Sequence, residues 1–210
     1  MSDQKKVILS PFLIIAVNIL VAIITGKFIG KWAFIPIILI EWVLFAYFIR
    51  KFGKSNSIHN WLRPTKGKYG WKIAALLMGI LTLPLFIFNH KLLAPWQIWL
   101  PWVILALVNP FLEEFYWRGL LLDYTASWSK WRSVLFTATI FSASHAVFGI
   151  NSEINRGIET LVANFIMGVI WAIVYQKTGS LRWTIAGHFF VDFFSVSAPA
   201  FLDLFEKQSF

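Results

Sequence analysis

The chain contains no cysteine and few charged residues. Without cysteine it can form no disulfide, thiolate metal site, thiol nucleophile or palmitoyl thioester. Only 14% of its 210 residues are charged, and 58% are hydrophobic. Soluble domains carry about 25% charged and about 45–50% apolar residues. The composition therefore predicts that lipid surrounds most of the chain.

Acidic residues are scarcer than basic ones. There are 10 Asp and Glu against 19 Lys and Arg, which gives a net charge of +9. In a soluble protein this excess would suggest a nucleic-acid partner. In a membrane protein, basic residues set the orientation and contact anionic headgroups. We therefore expect membrane lipid, and no nucleic acid, as a partner.

Long apolar runs fill the sequence. A spanning helix needs about 20 mostly apolar residues, and we draw seven such runs. They predict an all-α fold, a polytopic transmembrane helix bundle that forms a single integral membrane domain over 1–210. The first run is too long for a signal peptide, so we expect it to be retained. An eighth helix arises if the long fourth run splits at Pro110. The runs are 7–26, 32–49, 70–88, 96–123, 132–150, 157–176 and 181–201.

The distribution of Lys and Arg predicts the orientation. With seven spans, 13 of these residues fall at the N-terminus and on the even-numbered connections, and five fall on the other side. The longest connection, 50–72, is basic and contains no acid. Basic connections stay in the cytoplasm, so we expect a multi-pass protein of the cell membrane with its N-terminus cytoplasmic. Trp61, Tyr69 and Trp71 in this connection fit interfacial anchors.

The stretch "NPFLEEFYWRGLLLDY", at 109–124, places three charges inside an apolar run. Glu114 and Arg118 are four residues apart, which favours an intrahelical ion pair. Glu113 lies about 100° further around the helix, so it cannot share that pair equally. The spacing therefore predicts one neutralised acid and one spare carboxylate.

Two later runs also carry ionisable groups. His145 ends the sequence "FSASH", and His188 and Asp192 share one helix face in "HFFVD". At 1.5 Å per residue, Glu113, His145 and His188 lie about 10–18 Å from the cytoplasmic ends of their spans. Charged groups at such depth are costly and usually mark function. Three helices could thus surround one wet cavity. Asn109 and Asn164 are uncharged companions of these groups, and Glu41 has no functional interpretation.

The residue types indicate hydrolysis by either of two routes. A buried carboxylate beside histidines can act as a general base that removes a proton from water. A neighbouring imidazole can then stabilise an oxyanion. The same carboxylates and imidazoles could instead bind Zn²⁺ and leave one position for water. The residues alone leave both routes open.

Three motifs occur in order on three predicted spans: EExxxR in "EEFYWR", FxxxH in "FSASH" and HxxxD in "HFFVD". In this the chain resembles the CPBP family of intramembrane proteases, which includes CAAX prenyl endopeptidases and bacterial Abi proteins. The likeness covers about 97–195, which we take as the catalytic core. The resemblance implies an intramembrane endopeptidase.

By this resemblance, Glu113 would be the base that activates water. Glu114 would support Glu113 and pair with Arg118, and His145 would help to bind the water.

The resemblance also gives His188 and residue 192 the task of stabilising the oxyanion. Many family members have Asn where this chain has Asp192, and a carboxylate repels an oxyanion. Asp192 would therefore orient His188 or bind a metal.

We favour water activated by glutamate, with no obligatory cofactor or metal. If Zn²⁺ or another divalent metal is bound, its ligands would be Glu113, His145, His188 and Asp192. A serine site that combines Ser144 with His188 has little support. Two other classes stay open: a proton-coupled membrane transporter, and a non-catalytic membrane immunity or scaffold protein.

The expected substrate is a peptide or protein at the membrane. It could be prenylated, as CAAX peptides are, or bacteriocin-like. Peptide maturation and bacteriocin self-immunity are the corresponding biological roles.

Overall fold

The computed structural model describes residues 1–65 and 67–205, and this part of the chain contains helices and no strand. The all-α fold class is therefore confirmed. Lys66 and Lys207, which the charge count includes, lie outside the described residues. The α-helices are α1 Asp3–Ile29, α2 Phe34–Phe52, α3 Ser57–Trp61, α4 Tyr69–Ile80, α5 Leu83–Asn89, α6 Trp96–Glu114, α7 Leu122–Tyr124, α8 Lys130–His145, α9 Ile158–Thr178, α10 Arg182–Phe194 and α11 Ser197–Phe201.

Five helical stretches of the described chain are long and apolar enough to cross a membrane. The first has 50 residues, which at 1.5 Å each is more than twice the thickness of a bilayer core. It folds back at Gly30, whose φ of +56° suits glycine, and α1 packs against α2. The stretches are Asp3–Phe52, Tyr69–Leu93, Trp96–Tyr124, Lys130–Ile150 and Ile158–Thr178.

The last predicted span, 181–201, is interrupted. It consists of α10, with 13 residues, and α11, with five. Val196 separates them at a φ of +46°, a left-handed conformation that disfavours a β-branched residue. α10 alone is about 20 Å long, which is shorter than a bilayer core. Seven spans therefore stay a prediction, as does the single domain over 1–210.

The helix that carries Glu113 does not split at Pro110. α6 continues from Glu114 into a π-helical segment, Phe115–Leu121, and then into α7. Single π-helical turns inside α-helices often lie at functional sites. An eighth helix from a break at Pro110 is therefore not formed, and both glutamates lie at the junction of α-helix and π-helix.

Two close helix contacts fix the frame around the site. A Cβ added at Gly187 of α10 would collide with the Ala75 carbonyl of α4. A Cβ at Gly168 of α9 would lie 3.0 Å from Ala138 of α8. Small residues let helix backbones approach in this way. α10 also packs against α6, and α9 lies between α4 and α8, so the helices with the predicted site residues surround a common interior.

The basic connection between α2 and α4 is anchored to the protein by Trp61. The Trp61 side chain is buried, and its Nε1 donates a hydrogen bond to Asp123 Oδ2 at 2.9 Å. Its ring packs on Gly119, where a Cβ would lie 2.8 Å away. Trp61 is thus a packing residue and not an interfacial anchor. Tyr69 is largely exposed, as an interfacial residue would be.

Asp203 fastens the turn after α11 to the connection after α8. It accepts hydrogen bonds from Ser152 Oγ at 2.6 Å, the Glu153 amide at 2.8 Å and the Ile154 amide at 3.0 Å. Lys31 Nζ lies 3.0 Å from Asp203 Oδ2. Burial opposes ionisation of this carboxyl, but these donors outweigh it and lower its pKa from 3.8 to about 2.

Candidate functional site

A cavity of about 260 Å³ lies between α2, α6, α8, α9 and α10. Four of the predicted site residues line it: Glu113, His145, His188 and Asp192. Asn164, the uncharged companion on α9, lines it as well. The structure thus brings together side chains from three motifs that are far apart in the sequence.

Glu114 lies behind the cavity and binds two cationic or potentially cationic groups. Arg118 Nη1 donates to Glu114 Oε1 at 2.9 Å, and His188 Nδ1 lies 3.1 Å from the same oxygen. Glu114 is 0% exposed, Arg118 2% and His188 3%. The Arg118 guanidinium also lies 4.1 Å from the centroid of the Phe141 ring, a favourable cation–π distance. Glu114 therefore neutralises Arg118 and orients His188.

Only one carboxylate oxygen of Glu113 accepts a hydrogen bond from the described residues. Its Oε1 accepts a hydrogen bond from Asn109 Nδ2 at 3.0 Å. Its Oε2 is buried with no hydrogen-bond partner in the described structure and lies 3.9 Å from His188 Nε2. A carboxylate oxygen in this state can accept a proton or a hydrogen bond from a water in the cavity.

Asn109 links the two acids of the cavity. Trp42 Nε1 donates to Asn109 Oδ1 at 2.8 Å, which fixes the amide so that its NH₂ group faces the acids. That group donates to Glu113 and, at 3.2 Å, to Asp192 Oδ2. The spacing of four between Asn109 and Glu113 was a sequence signal for this contact. Nothing in the sequence pointed to Trp42.

Asp192 does not make the hydrogen bond to His188 that an orienting role would require. Asp192 Oδ1 lies 3.7 Å from His188 Nε2, which is too long for a hydrogen bond. The other imidazole nitrogen is occupied by Glu114. Glu114 is therefore the carboxylate that orients His188, and Asp192 holds Asn109 instead.

Aromatic side chains hold the two imidazoles in place. The Trp171 ring stacks on His188 with centroids 4.7 Å apart. The ring of Phe141 packs against His145 at 4.6 Å. Trp171, which sequence reasoning missed, is buried, and its Nε1 donates to the Ala75 carbonyl. The imidazoles therefore have few other orientations.

The hydrogen bond at His145 Nδ1 determines which imidazole nitrogen has a free lone pair. Nδ1 lies 2.9 Å from the Phe141 carbonyl oxygen. It must carry the proton, so Nε2 of the neutral ring has a free lone pair. Ser144 Oγ donates to the same carbonyl at 2.8 Å and lies 3.4 Å from His145 Nδ1. Within the described residues Ser144 does not line the cavity, and the structure places it against this carbonyl.

Glu41 also lines the cavity. It is 4% exposed, and no described residue donates a hydrogen bond to its carboxyl group. No functional role for this residue was predictable from the sequence.

In the described residues the expected metal ligands are not grouped as a metal site. Among residues 1–65 and 67–205, no group of three or more His, Cys, Asp or Glu side chains is arranged to hold a metal ion. We therefore derive no step through a metal.

Comparison with known proteins identifies one related family. Residues 94–194 match the family model described as Type II CAAX prenyl endopeptidase Rce1-like. The matched segment contains all six predicted site residues, and α1 to α5 precede it. The resemblance to the CPBP family is thereby confirmed. Searches of curated proteins and of solved structures each found no match.

Proposed function

Residues 94–194 belong to the Rce1-like family of type II CAAX prenyl endopeptidases, and from this premise we propose that the chain hydrolyses peptide bonds with water activated by Glu113. The family match supports a CAAX-type intramembrane protease at family level. The choice of Glu113 depends on one observation. Its Oε2 is buried without a hydrogen-bond partner, and Glu113 lines the same cavity as both imidazoles.

In the proposed reaction, Glu113 Oε2 accepts a proton from a water in the cavity. His145 Nε2 accepts a hydrogen bond from the second hydrogen of that water, because its Nδ1 is bonded to the Phe141 carbonyl. The water oxygen attacks the carbonyl carbon of the substrate, whose oxygen becomes an oxyanion. When the C–N bond breaks, Glu113 returns the proton to the leaving amine nitrogen.

We assign stabilisation of the oxyanion to His188 in its imidazolium form. Its Nδ1–H is directed to Glu114, so only the doubly protonated ring can also donate from Nε2. Preorganised donors of this kind are usually the largest single contribution to acyl-transfer catalysis. Asp192 is assigned a positioning role through Asn109. Because its Oδ2 accepts from that amide, the Asp192 carboxylate need not contact the oxyanion.

The protein is a membrane protein. We place it in the cell membrane with a cytoplasmic N-terminus, as the distribution of basic residues predicts. The proposed substrate is a peptide or protein at the membrane, prenylated or bacteriocin-like. Peptide maturation or bacteriocin self-immunity would follow from that chemistry. No obligatory metal or other cofactor is proposed.

Cleavage of a synthetic peptide library by the full-length protein in liposomes tests the function. We expect Glu113→Gln to lower kcat by about 10²- to 10⁴-fold, the usual contribution of a general base. Glu159→Gln is the matched control, because Glu159 is exposed on α9 and does not line the cavity. Undiminished cleavage by folded Glu113→Gln would refute the assignment of the base.

The same liposomes separate the protease from the alternative functions. Buried acids and imidazoles also form proton relays in transporters. A proton flux that Glu113→Gln abolishes, without any cleavage, would favour a transporter. A protein that neither cleaves nor transports, yet binds a membrane partner, would favour an immunity or scaffold function.

A further inference from the structure

Glu41 is a buried acid of the cavity that the proposed reaction does not use. It lies on α2, outside the segment that matches the protease family. The same cavity is lined by the proposed base Glu113 and by His188. Any substrate group that reaches the reacting atoms therefore lies near Glu41 as well.

The Glu41 carboxyl lacks a donor within the protein. Glu113 accepts from Asn109, and Glu114 binds Arg118 and His188. No residue in the described part of the chain supplies Glu41 with such a bond, and a charge on Glu113 repels a charge on Glu41. Burying a carboxyl without a hydrogen bond is costly. Water or a group that enters the cavity would supply the missing donor.

The charges around the cavity indicate which kind of donor fits. The lining contains three carboxyls and two imidazoles, and no Lys or Arg among the described residues. Arg118 lies behind the cavity and is bound to Glu114. Even with both imidazoles protonated, one carboxylate has no counterion. The volume of about 260 Å³ far exceeds the roughly 10–15 Å³ that one water requires, so a side chain can enter.

We propose that Glu41 binds a cationic Lys or Arg side chain of the substrate, and so makes the protease prefer a basic residue close to the cleaved bond. This inference rests on the proposed function. It gives the substrate a chemical property that the family does not specify, because Glu41 lies outside the matched segment.

Matched peptides test this preference. Each peptide carries Lys, the neutral isostere norleucine, or Glu at one position near the cleaved bond, and kcat/KM is measured with the full-length protein in liposomes. A hydrogen-bonded ion pair predicts that the best Lys peptide is cleaved roughly tenfold faster, or more, than its norleucine partner. We expect Glu41→Gln to reduce this ratio to about one, and Glu41→Asp to keep part of it. Glu159→Gln should keep the full ratio.

A binding measurement separates this inference from the proposed function. The affinity of Glu113→Gln for the Lys and norleucine peptides is compared with that of the Glu113→Gln, Glu41→Gln double variant. A Lys preference that disappears in the double variant supports the role of Glu41, even if no cleavage is ever seen.

Other outcomes would contradict the role of Glu41. Cleavage without a preference for Lys, or a preference that survives Glu41→Gln, would overturn the inference and leave the protease intact. If the peptides are neither cleaved nor bound, both proposals fail. Thermal unfolding of each variant shows whether it is folded.

Discussion

His188 is held by Glu114 and not by Asp192. The Nδ1 atom of His188 lies 3.1 Å from Glu114 Oε1, and both residues are buried. Glu114 also accepts a hydrogen bond from Arg118. Glu114, the second glutamate of the EExxxR motif, thus connects that motif to the HxxxD motif of α10. It thereby aims His188 Nε2 toward Glu113, which lies 3.9 Å away.

The two adjacent glutamates should therefore differ in their effect on stability. Glu114→Gln leaves the buried Arg118 without its counterion, and we expect it to lower the free energy of unfolding by about 3–5 kcal/mol. Glu113→Gln keeps an oxygen that can accept from Asn109, so we expect a change of about 1 kcal/mol or less. Chemical unfolding of both variants in the same detergent measures the difference. Equal loss of stability in the two variants would contradict this division of roles.

Asn109 should act as a positioning residue. Asn109→Leu removes the donors to Glu113 and Asp192, and a misplaced base can cost roughly 10² in rate. Trp42→Phe removes the donor that fixes the amide, worth about 1 kcal/mol, so we expect a several-fold loss of kcat. The double variant should be no slower than Asn109→Leu alone, because both changes act on one chain of hydrogen bonds.

Trp96→Phe is the control for this pair, since Trp96 is largely exposed on α6. Full activity in Asn109→Leu, or additive losses in the double variant, would show that Asn109 does not position the base. A lower KM in Asn109→Leu with an unchanged kcat would also argue against it.

The helices were largely predictable from the sequence, because each apolar run reports the length of a spanning segment. The break between α10 and α11 was not. It occurs at Val196, where φ is +46°, and a β-branched residue gives no signal for a left-handed turn. The π-helical segment Phe115–Leu121 was not predictable either, because its sequence has the pattern of an ordinary α-helix.

Local contacts of the site were predictable and the contacts between helices were not. The pair of Glu114 and Arg118 follows from a spacing of four on one helix. Asp192 was expected to orient His188 or to bind a metal, but the packing of α10 on α6 brings Glu114 closer to the imidazole. Trp42 and Trp171 reach the site from other helices. Only tertiary structure distinguishes them from the many tryptophans that merely pack.

Asp192→Asn should retain activity in a protease that uses no metal. The amide oxygen of Asn can still accept from Asn109. The substitution removes a negative charge 3.7 Å from His188 Nε2, but Glu113 and Glu114 remain beside His188 and still favour its imidazolium form. We therefore expect cleavage within about tenfold of the wild type, a barrier change below about 1.4 kcal/mol. Elemental analysis and chelator treatment of the active protein accompany the assay.

A metal ligand would respond differently to the same change. Loss of a carboxylate ligand should reduce metal content and activity together. The free-glutamate mechanism would be wrong if chelator abolished cleavage, if added Zn²⁺ restored it, and if Asp192→Asn lost both metal and activity. Asp3→Asn, at an exposed acid of α1, is the control.

Asp203 should make stability depend on acid pH. Its pKa is about 2 in the folded protein, below the ordinary value of 3.8. The folded state therefore prefers the carboxylate, and this stabilisation is complete above about pH 4 and is lost as the pH falls toward 2. Asp203→Asn keeps only one acceptor oxygen for Ser152 and the backbone amides. We expect it to cost about 1.5 kcal/mol or more at pH 7 and progressively less below pH 4. Thermal unfolding of both proteins between pH 7 and pH 2.5 provides the measurement, and a difference in Tm that stays constant over this range would contradict the prediction.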